Sequence, residues 1–460
     1  MPVETSVELV NSGAISFLPT LLVLIMAVLI RRPIEALFSG VVVGIFILHG
    51  SKTISALSET AIRTMQDEDL IWIILVCGGM GALIGLFLRT GSLYAFMDKV
   101  SNHVETRFGA ILATWFMGIL LFVDDYLNSI TVGAAMSHIT DKFKISREML
   151  AYIVDSTAAP VSVIIPISTW AVFFGTILEN VNLATEGEGL SVYISAIPYM
   201  LYPWIAVFMV PLVASGKIPL IGPMKKAEHR AIVDGQPLPI GGEHIHGAKQ
   251  AIVERKGVKR TGWLFSLPLI GLVGFTLYFD MEFLHATLAT LALTTSIILT
   301  FRVLDMHDTF DTLLNGFKTM IDPLLTIICA FMLKDVNDQL GLTNYILEIS
   351  KVYMTAETLP FIVFFIMGLI AFATGSSWGV FVIALPIISE LTASTGANVS
   401  LVIGATLSAS TFGSHACLYA DATVLTAQSC GTSTIQHAFT QLPYAIMAAI
   451  LTLIGFALIT

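Results

Sequence analysis

Apolar runs long enough to cross a bilayer recur along this chain, from Ala14 to Ile30, Leu70 to Leu88, Val192 to Val213, Leu264 to Phe279, Phe283 to Phe301 and Pro443 to Ile459. A helix rises about 1.5 Å per residue, so about 20 such residues span a hydrocarbon core about 30 Å thick. In lipid every backbone amide must bond within the protein, which leaves only helices or a closed barrel. A barrel needs segments of about 10 residues with alternating polarity, and the sequence holds no such pattern. The expectation is an all-α polytopic membrane protein. Composition agrees, with 55% hydrophobic and 12% charged residues against about 25% charged in a soluble domain.

Charge and cysteine usage narrow the partners. The net charge is -10, and much of the acidity sits in short connectors such as Asp67-Glu68-Asp69 and Glu179 to Glu188. No basic tract suggests nucleic acid. Cys77, Cys329, Cys417 and Cys430 lie in apolar surroundings without metal-type spacing, so they read as reduced, buried thiols. Met1 to Ser12 is acidic and polar, unlike the basic start of a secretory signal, and the first apolar segment is expected to remain in the mature protein.

The stretch from Ala214 to Gly262 carries nine of the 23 Lys and Arg residues. The positive-inside rule makes it cytoplasmic, together with Arg31-Arg32 and Lys142 to Arg147, and leaves the acidic connectors outside. Satisfying all of these needs five crossings before the basic loop and a re-entrant hairpin around Asp124-Asp125. An odd number turns the second half upside down. Residues 1–213 would form one repeat, 214–262 a cytoplasmic basic loop and 263–460 a second, inverted repeat. Each repeat would hold about five spans plus a re-entrant hairpin and broken helices. Internal matches at offsets of about 250 residues support this: Pro19 with Pro268, Gly91 with Gly341, Phe122 and Asp124 with Phe372 and Thr374, and Asp155 to Ala158 with Ala409 to Phe412. Inverted repeats with broken helices place a transport site at the membrane midplane.

Polar residues inside the apolar runs mark that site. An Asp at a helix centre costs about 2.5 to 3.5 kcal/mol on insertion scales, so Asp124, Asp125, Asp155 and Asp421 need a compensating environment. Asp124-Asp125-Tyr126-Leu127-Asn128 falls at the expected first hairpin tip, where the two carboxylates either face the site or cap backbone amides. Asp155-Ser156-Thr157 precedes Pro160, which removes a helical hydrogen bond; Ser and Thr hydroxyls there can ligate a small hard cation or bond back onto the helix. The second tip has Thr374, Ser376 and Ser377 in place of acids. Ser410, Thr411 and His415 run on to Asp421; His415 reads as a proton carrier or as a bonded core histidine, and Asp421 as a site residue or a helix cap. Arg89 reads as snorkelling to the interface. His244 and His246 are two ligands only, short of a metal site.

Gly79-Met80-Gly81-Ala82-Leu83 with Arg89-Thr90-Gly91, Phe122 to Asn128, Asp155 to Val161, Thr374-Gly375-Ser376-Ser377-Trp378-Gly379, and Phe412-Gly413 through Asp421-Ala422-Thr423 resemble, in order, the motifs of the NhaC-type sodium/proton antiporters. The resemblance spans roughly Ala14 to Gly431. It implies that Asp124, Asp125 and Asp155 belong to a cation and proton site, with Na⁺ at Asp124, Asp155 and Thr157. It also implies a homodimer in the cytoplasmic (plasma) membrane. The family's last motif commonly reads Gly-Asp-His-Cys, where this chain has Gly413-Ser414-His415-Ala416.

The first functional expectation is sodium/proton antiport, with no cofactor beyond Na⁺ and H⁺ as transported or coupling ions. Ser414 and the uncharged second tip keep a second reading open, a sodium- or proton-coupled transporter of an amino acid or small organic acid. The partners are then the lipid bilayer and a small cation or small-molecule substrate. An intramembrane aspartyl enzyme would use paired carboxylates, but neither a Gly-x-Gly-Asp run nor His-Glu-x-x-His is present. A passive channel fits the repeat less well than alternating access does.

Overall fold

The computed structural model describes residues 13–460 apart from 31, 102–103, 123–124, 167, 240–260, 281, 343, 346–347, 349–354 and 376. Among the described residues the regular elements are all helical. The first half opens with α1 (Leu18–Ile30), α2 (Pro33–His49), α3 (Thr53–Thr64), α4 (Glu68–Arg89) and α5 (Ser92–Ser101). Local chemistry sets these boundaries. Pro33 starts α2, where its missing N–H is no loss, and Gly50 ends it at a φ of 55°. Asp67 caps α4 by accepting from the Leu70 amide at 3.1 Å.

Next come α6 (Arg107–Leu120) and α7 (Asp125–Lys142), parted at the expected hairpin tip, and the interrupted series α8 (Arg147–Asp155), α9 (Ala159–Ile164) and α10 (Thr169–Asn180). The half closes with α11 (Gly189–Ala196) and α12 (Leu201–Ala214). The connecting stretch, expected as a polar loop, contains α13 (Gly222–Val233).

The second half comprises α14 (Trp263–Tyr278), α15 (Phe283–Thr300), α16 (Met306–Lys318), α17 (Ile321–Gln339), a hairpin of α18 (Leu359–Thr374) and α19 (Ser377–Thr395), the interrupted pair α20 (Val399–Ala416) and α21 (Asp421–Cys430), and α22 (Thr434–Ile459). The halves exchange partners. Helix α4 packs against α15 and α16, while α17 packs against α2 and α3. At the first seam Gly81 and Gly316 bring two backbones together, each lacking the Cβ that would strike the other's carbonyl. Ion pairs fasten both seams, Arg89 to Asp308 at 2.8 Å and Arg63 to Asp335 at 2.6 Å. Arg89 therefore does not simply snorkel; a carboxylate from the other half holds it.

Among the described residues four helical stretches are long and apolar enough to cross a membrane: Ile34–Thr64, Leu70–Arg89, Phe283–Thr300 and Thr434–Ile459. Counting each bent pair as one span makes six, fewer unbroken crossings than five per repeat, because polar and proline-containing breaks divide the others. The run from Val192 to Val213, expected to be one span, bends by 51° between Tyr199 and Leu201. Pro203 has no N–H to offer the Tyr199 carbonyl, so the helix cannot continue through that turn. Large apolar side chains such as Leu29, Ile54, Ile270 and Leu458 are exposed, as expected for surface that meets lipid tails.

Candidate functional site

The site is built where α8 stops. Asp155 is its last residue, Ser156 to Ala158 form a turn, and Pro160 lies in the first turn of α9. Proline's missing N–H leaves that turn without a continuous helical ladder. Asp155, Ser156 and Thr157 are all buried. The Asp155 Oδ2 accepts from Gln441 Nε2 at 2.7 Å and lies 3.0 Å from His437 Nε2. His437 and Gln441 sit one turn apart on α22 and so share a face. Gln441 also donates to the His415 carbonyl. Both of its amide protons thus go to acceptors, which fixes the orientation of the amide.

His415, near the end of α20, uses both ring nitrogens. Tyr202 OH lies 2.7 Å from Nδ1 and Ser156 Oγ 3.1 Å from Nε2. When Tyr202 donates to Nδ1, the neutral ring carries its proton on Nε2 and donates it to Ser156. Four helices meet in this network: α8 with Asp155, α12 with Tyr202, α20 with His415, and α22 with His437 and Gln441.

A second cluster forms at the hairpin tips. Asp421 opens α21, accepts from Tyr126 OH at 2.5 Å and caps its own helix through the Ala422 amide at 2.8 Å. Both Asp421 oxygens are thus engaged, Oδ2 by the Tyr126 hydroxyl and Oδ1 by the amide of the next residue. Asp421, Thr374, Gly375 and Lys334 line one small cavity with Ile327, Ala330 and Phe331. Gly375 ends α18 at a φ of 68°, a conformation that favours glycine. The Thr374 hydroxyl donates to the Ile370 carbonyl at 2.9 Å.

Asn128 joins the first hairpin to the break. Its Nδ2 donates to the Gly118 carbonyl at 2.6 Å and the Thr157 carbonyl at 2.8 Å. The approach is close enough that a Cβ on Gly118 would strike the Thr157 side chain. The Thr157 hydroxyl, expected to ligate a cation, donates back to the Ile153 carbonyl at 2.9 Å. Thr411 does the same to Leu407 at 2.7 Å, one turn below His415. Ser410 is buried on α20 and Asp125 in the first turn of α7. Asp124 and Ser376 lie outside the described residues, as do His244 and His246 and the side chain of Ser377. Among the described residues no three His, Cys, Asp or Glu side chains are grouped to hold a metal.

The expected residues therefore come together in two groups, Asp155, Ser156 and His415 in one, Thr374 and Asp421 in the other. Sequence reading passed over Tyr126, Tyr202, Lys334, His437 and Gln441. His437 and Gln441 are spaced for one helix face just before the apolar run that starts at Pro443, a spacing that puts them on one side of a helix but does not name Asp155 as their partner. Tyr202 gave no such signal.

An all-helical body with lipid-type surface and a polar network buried at helix breaks defines a polytopic membrane protein. The chain belongs to the Na⁺/H⁺ antiporter family, whose family model matches residues 170–459, more than half its length. It is thus a membrane transporter and not an enzyme. The matched stretch holds Tyr202, His415, Asp421, His437 and Gln441 and begins after Asp155. An uncharacterized protein of Haemophilus influenzae is 26% identical over 487 aligned residues, covering 98% of this chain and 91% of that one. A solved structure of Neisseria gonorrhoeae MtrF, presented as illuminating a class of antimetabolite efflux pumps, matches with a TM-score of 0.39 and 11% identity over 89% of this chain and 85% of that one.

Proposed function

We propose that this chain is an NhaC-type sodium/proton antiporter of the plasma membrane, with Asp155 as the carboxylate that Na⁺ and H⁺ occupy in turn. One observation carries the reading: Asp155 is 1% exposed at a helix break, and its ionic partner there is an imidazole. A carboxylate buried in a medium of low dielectric needs a balancing positive charge or a proton. A fixed arginine would supply that charge permanently; His437 supplies it only when protonated. In this reading an arriving sodium ion takes the place of that removable charge beside Asp155.

Access follows from which helices carry the parts. Asp155 is on α8 and its two donors are on α22, so separating these helices uncovers the carboxylate. Two halves inserted in opposite orientations, with the basic loop in the cytoplasm, would expose it to each side in turn. Asp155→Asn, reconstituted in proteoliposomes and monodisperse in detergent, should lower sodium-driven proton movement at least tenfold. Wild-type rates in that variant would remove Asp155 from the site.

A second reading draws on the cavity that Lys334 and Asp421 line together. The cavity measures about 10 Å³, room for about one water, so its opposite charges would hold an amino acid or small organic acid driven by sodium or protons only once the helices around it part; Ser414 takes away a negative charge nearby in sequence. A screen in the same vesicles separates the two. Proton movement that needs such a solute, and that sodium alone does not produce, selects this reading.

A further inference from the structure

Helix α13 is the element of the connecting stretch that neither the sequence reading nor the transport site absorbs. Its buried face runs Met224, Ala227, Glu228 and Ala231, a helical stripe with one carboxylate in it. Glu228 is 1% exposed. A carboxylate is held that deep only when paired and hydrogen-bonded, and its partners show what α13 is fastened to. Oε1 accepts from the Ser146 amide at 2.8 Å, and Oε2 is ion-paired with Arg107 at the start of α6. Ser146 is the cap of α8, so a negative charge sits at that helix's positive end.

Two residues from Glu228 along α13, Arg230 reaches both oxygens of buried Glu148 in the first turn of α8, at 2.7 and 3.0 Å. The chain leaving α13 adds the Pro237 carbonyl, which accepts from the Arg147 amide at 3.0 Å. Its other end holds α22. The Ile221 amide donates to Tyr444 OH at 3.0 Å, and α13 packs along α22 as well as α8. Tyr444 lies three residues beyond Gln441 and packs against Tyr152 of α8, ring centroids 5.0 Å apart and ring planes tilted by 33°.

We infer that α13 is a latch across α8 and α22, the two helices whose separation uncovers Asp155, and that Glu228 and Arg230 are positioning residues for transport that act through α8. The inference rests on Asp155 being the transport carboxylate. With the latch fastened, Asp155 stays against His437 and Gln441; with it released, the two helices part at that end of the molecule.

The test uses the full chain with Glu228→Gln and Arg230→Gln combined, and a second protein in which the ion pair is reversed, Glu148→Arg with Arg230→Glu. Amide hydrogen exchange in detergent is followed in α8 and α22. The neutral variant should exchange at least threefold faster in both helices, and the reversed pair should return towards wild type. In proteoliposomes the neutral variant should turn over at least threefold more slowly with half-saturating sodium within twofold of wild type, because Asp155 itself is intact. Unchanged exchange in α22 overturns the latch, as does faster exchange confined to α13. Should the wild type move no protons in response to sodium, the antiport reading falls and the exchange measurement still decides the latch.

Discussion

Gln441 has two amide protons and places them on acceptors from two different helices, the Asp155 carboxylate and the His415 carbonyl. Both acceptors are buried, so Gln441→Ala takes a donor from each, leaving the His415 carbonyl short and Asp155 with His437 alone. The expected loss is about 1 to 3 kcal/mol per unsatisfied buried group, read as a lower unfolding temperature in detergent. His437 is separable from that structural role. His437→Gln keeps a donor for Asp155 but cannot carry a proton at neutral pH. It should leave the unfolding temperature within a few degrees and lower proton-coupled transport at least tenfold; transport at the wild-type rate would take His437 out of the proton path.

At the level of elements, the breaks between helices matter more than the helices. The turn after Asp155 is held from outside, by Asn128 reaching the Thr157 carbonyl and by α6 pressing Gly118 against Thr157. A larger residue at Gly118 must push α6 away or displace the turn that carries Asp155. Gly118→Val should cost about 1 to 3 kcal/mol from overpacking, and transport should fall further than that stability loss explains. Sodium-driven proton movement at the wild-type rate by a Gly118→Val protein of lowered stability would show that the turn tolerates the shift.

Across the whole molecule, neither half can bury its own seams. Helix α4 packs most extensively against α15 and α16 of the second half, and α17 against α2 and α3 of the first, with Arg89 and Arg63 each paired across the divide. Residues 1–245 and 251–460 expressed together should therefore assemble and copurify through a tag on either one. Each expressed alone should be degraded or extracted only as aggregate. A single half that is monodisperse in mild detergent would contradict the exchange of partners.

How much of this was legible beforehand follows from range. Apolar length, the first hairpin tip near Asp125, the interruption after Asp155 and the start of a helix at Asp421 are local properties, set by residues within a turn or two, and the sequence determined them. So did the burial of Asp155, because no polar side chain is placed in an apolar run without enclosure. What encloses it is not local. His437 and Gln441 stand 282 and 286 residues away, and only the packing of α22 against α8 selects them among the buried polar residues of the second half. The bend before Tyr202, the pairing of Arg89 with Asp308 and the docking of α13 were decided in the same way. Composition marks a stretch as polar or apolar, but a neighbour many residues off decides whether a charge meets lipid, water or another charge.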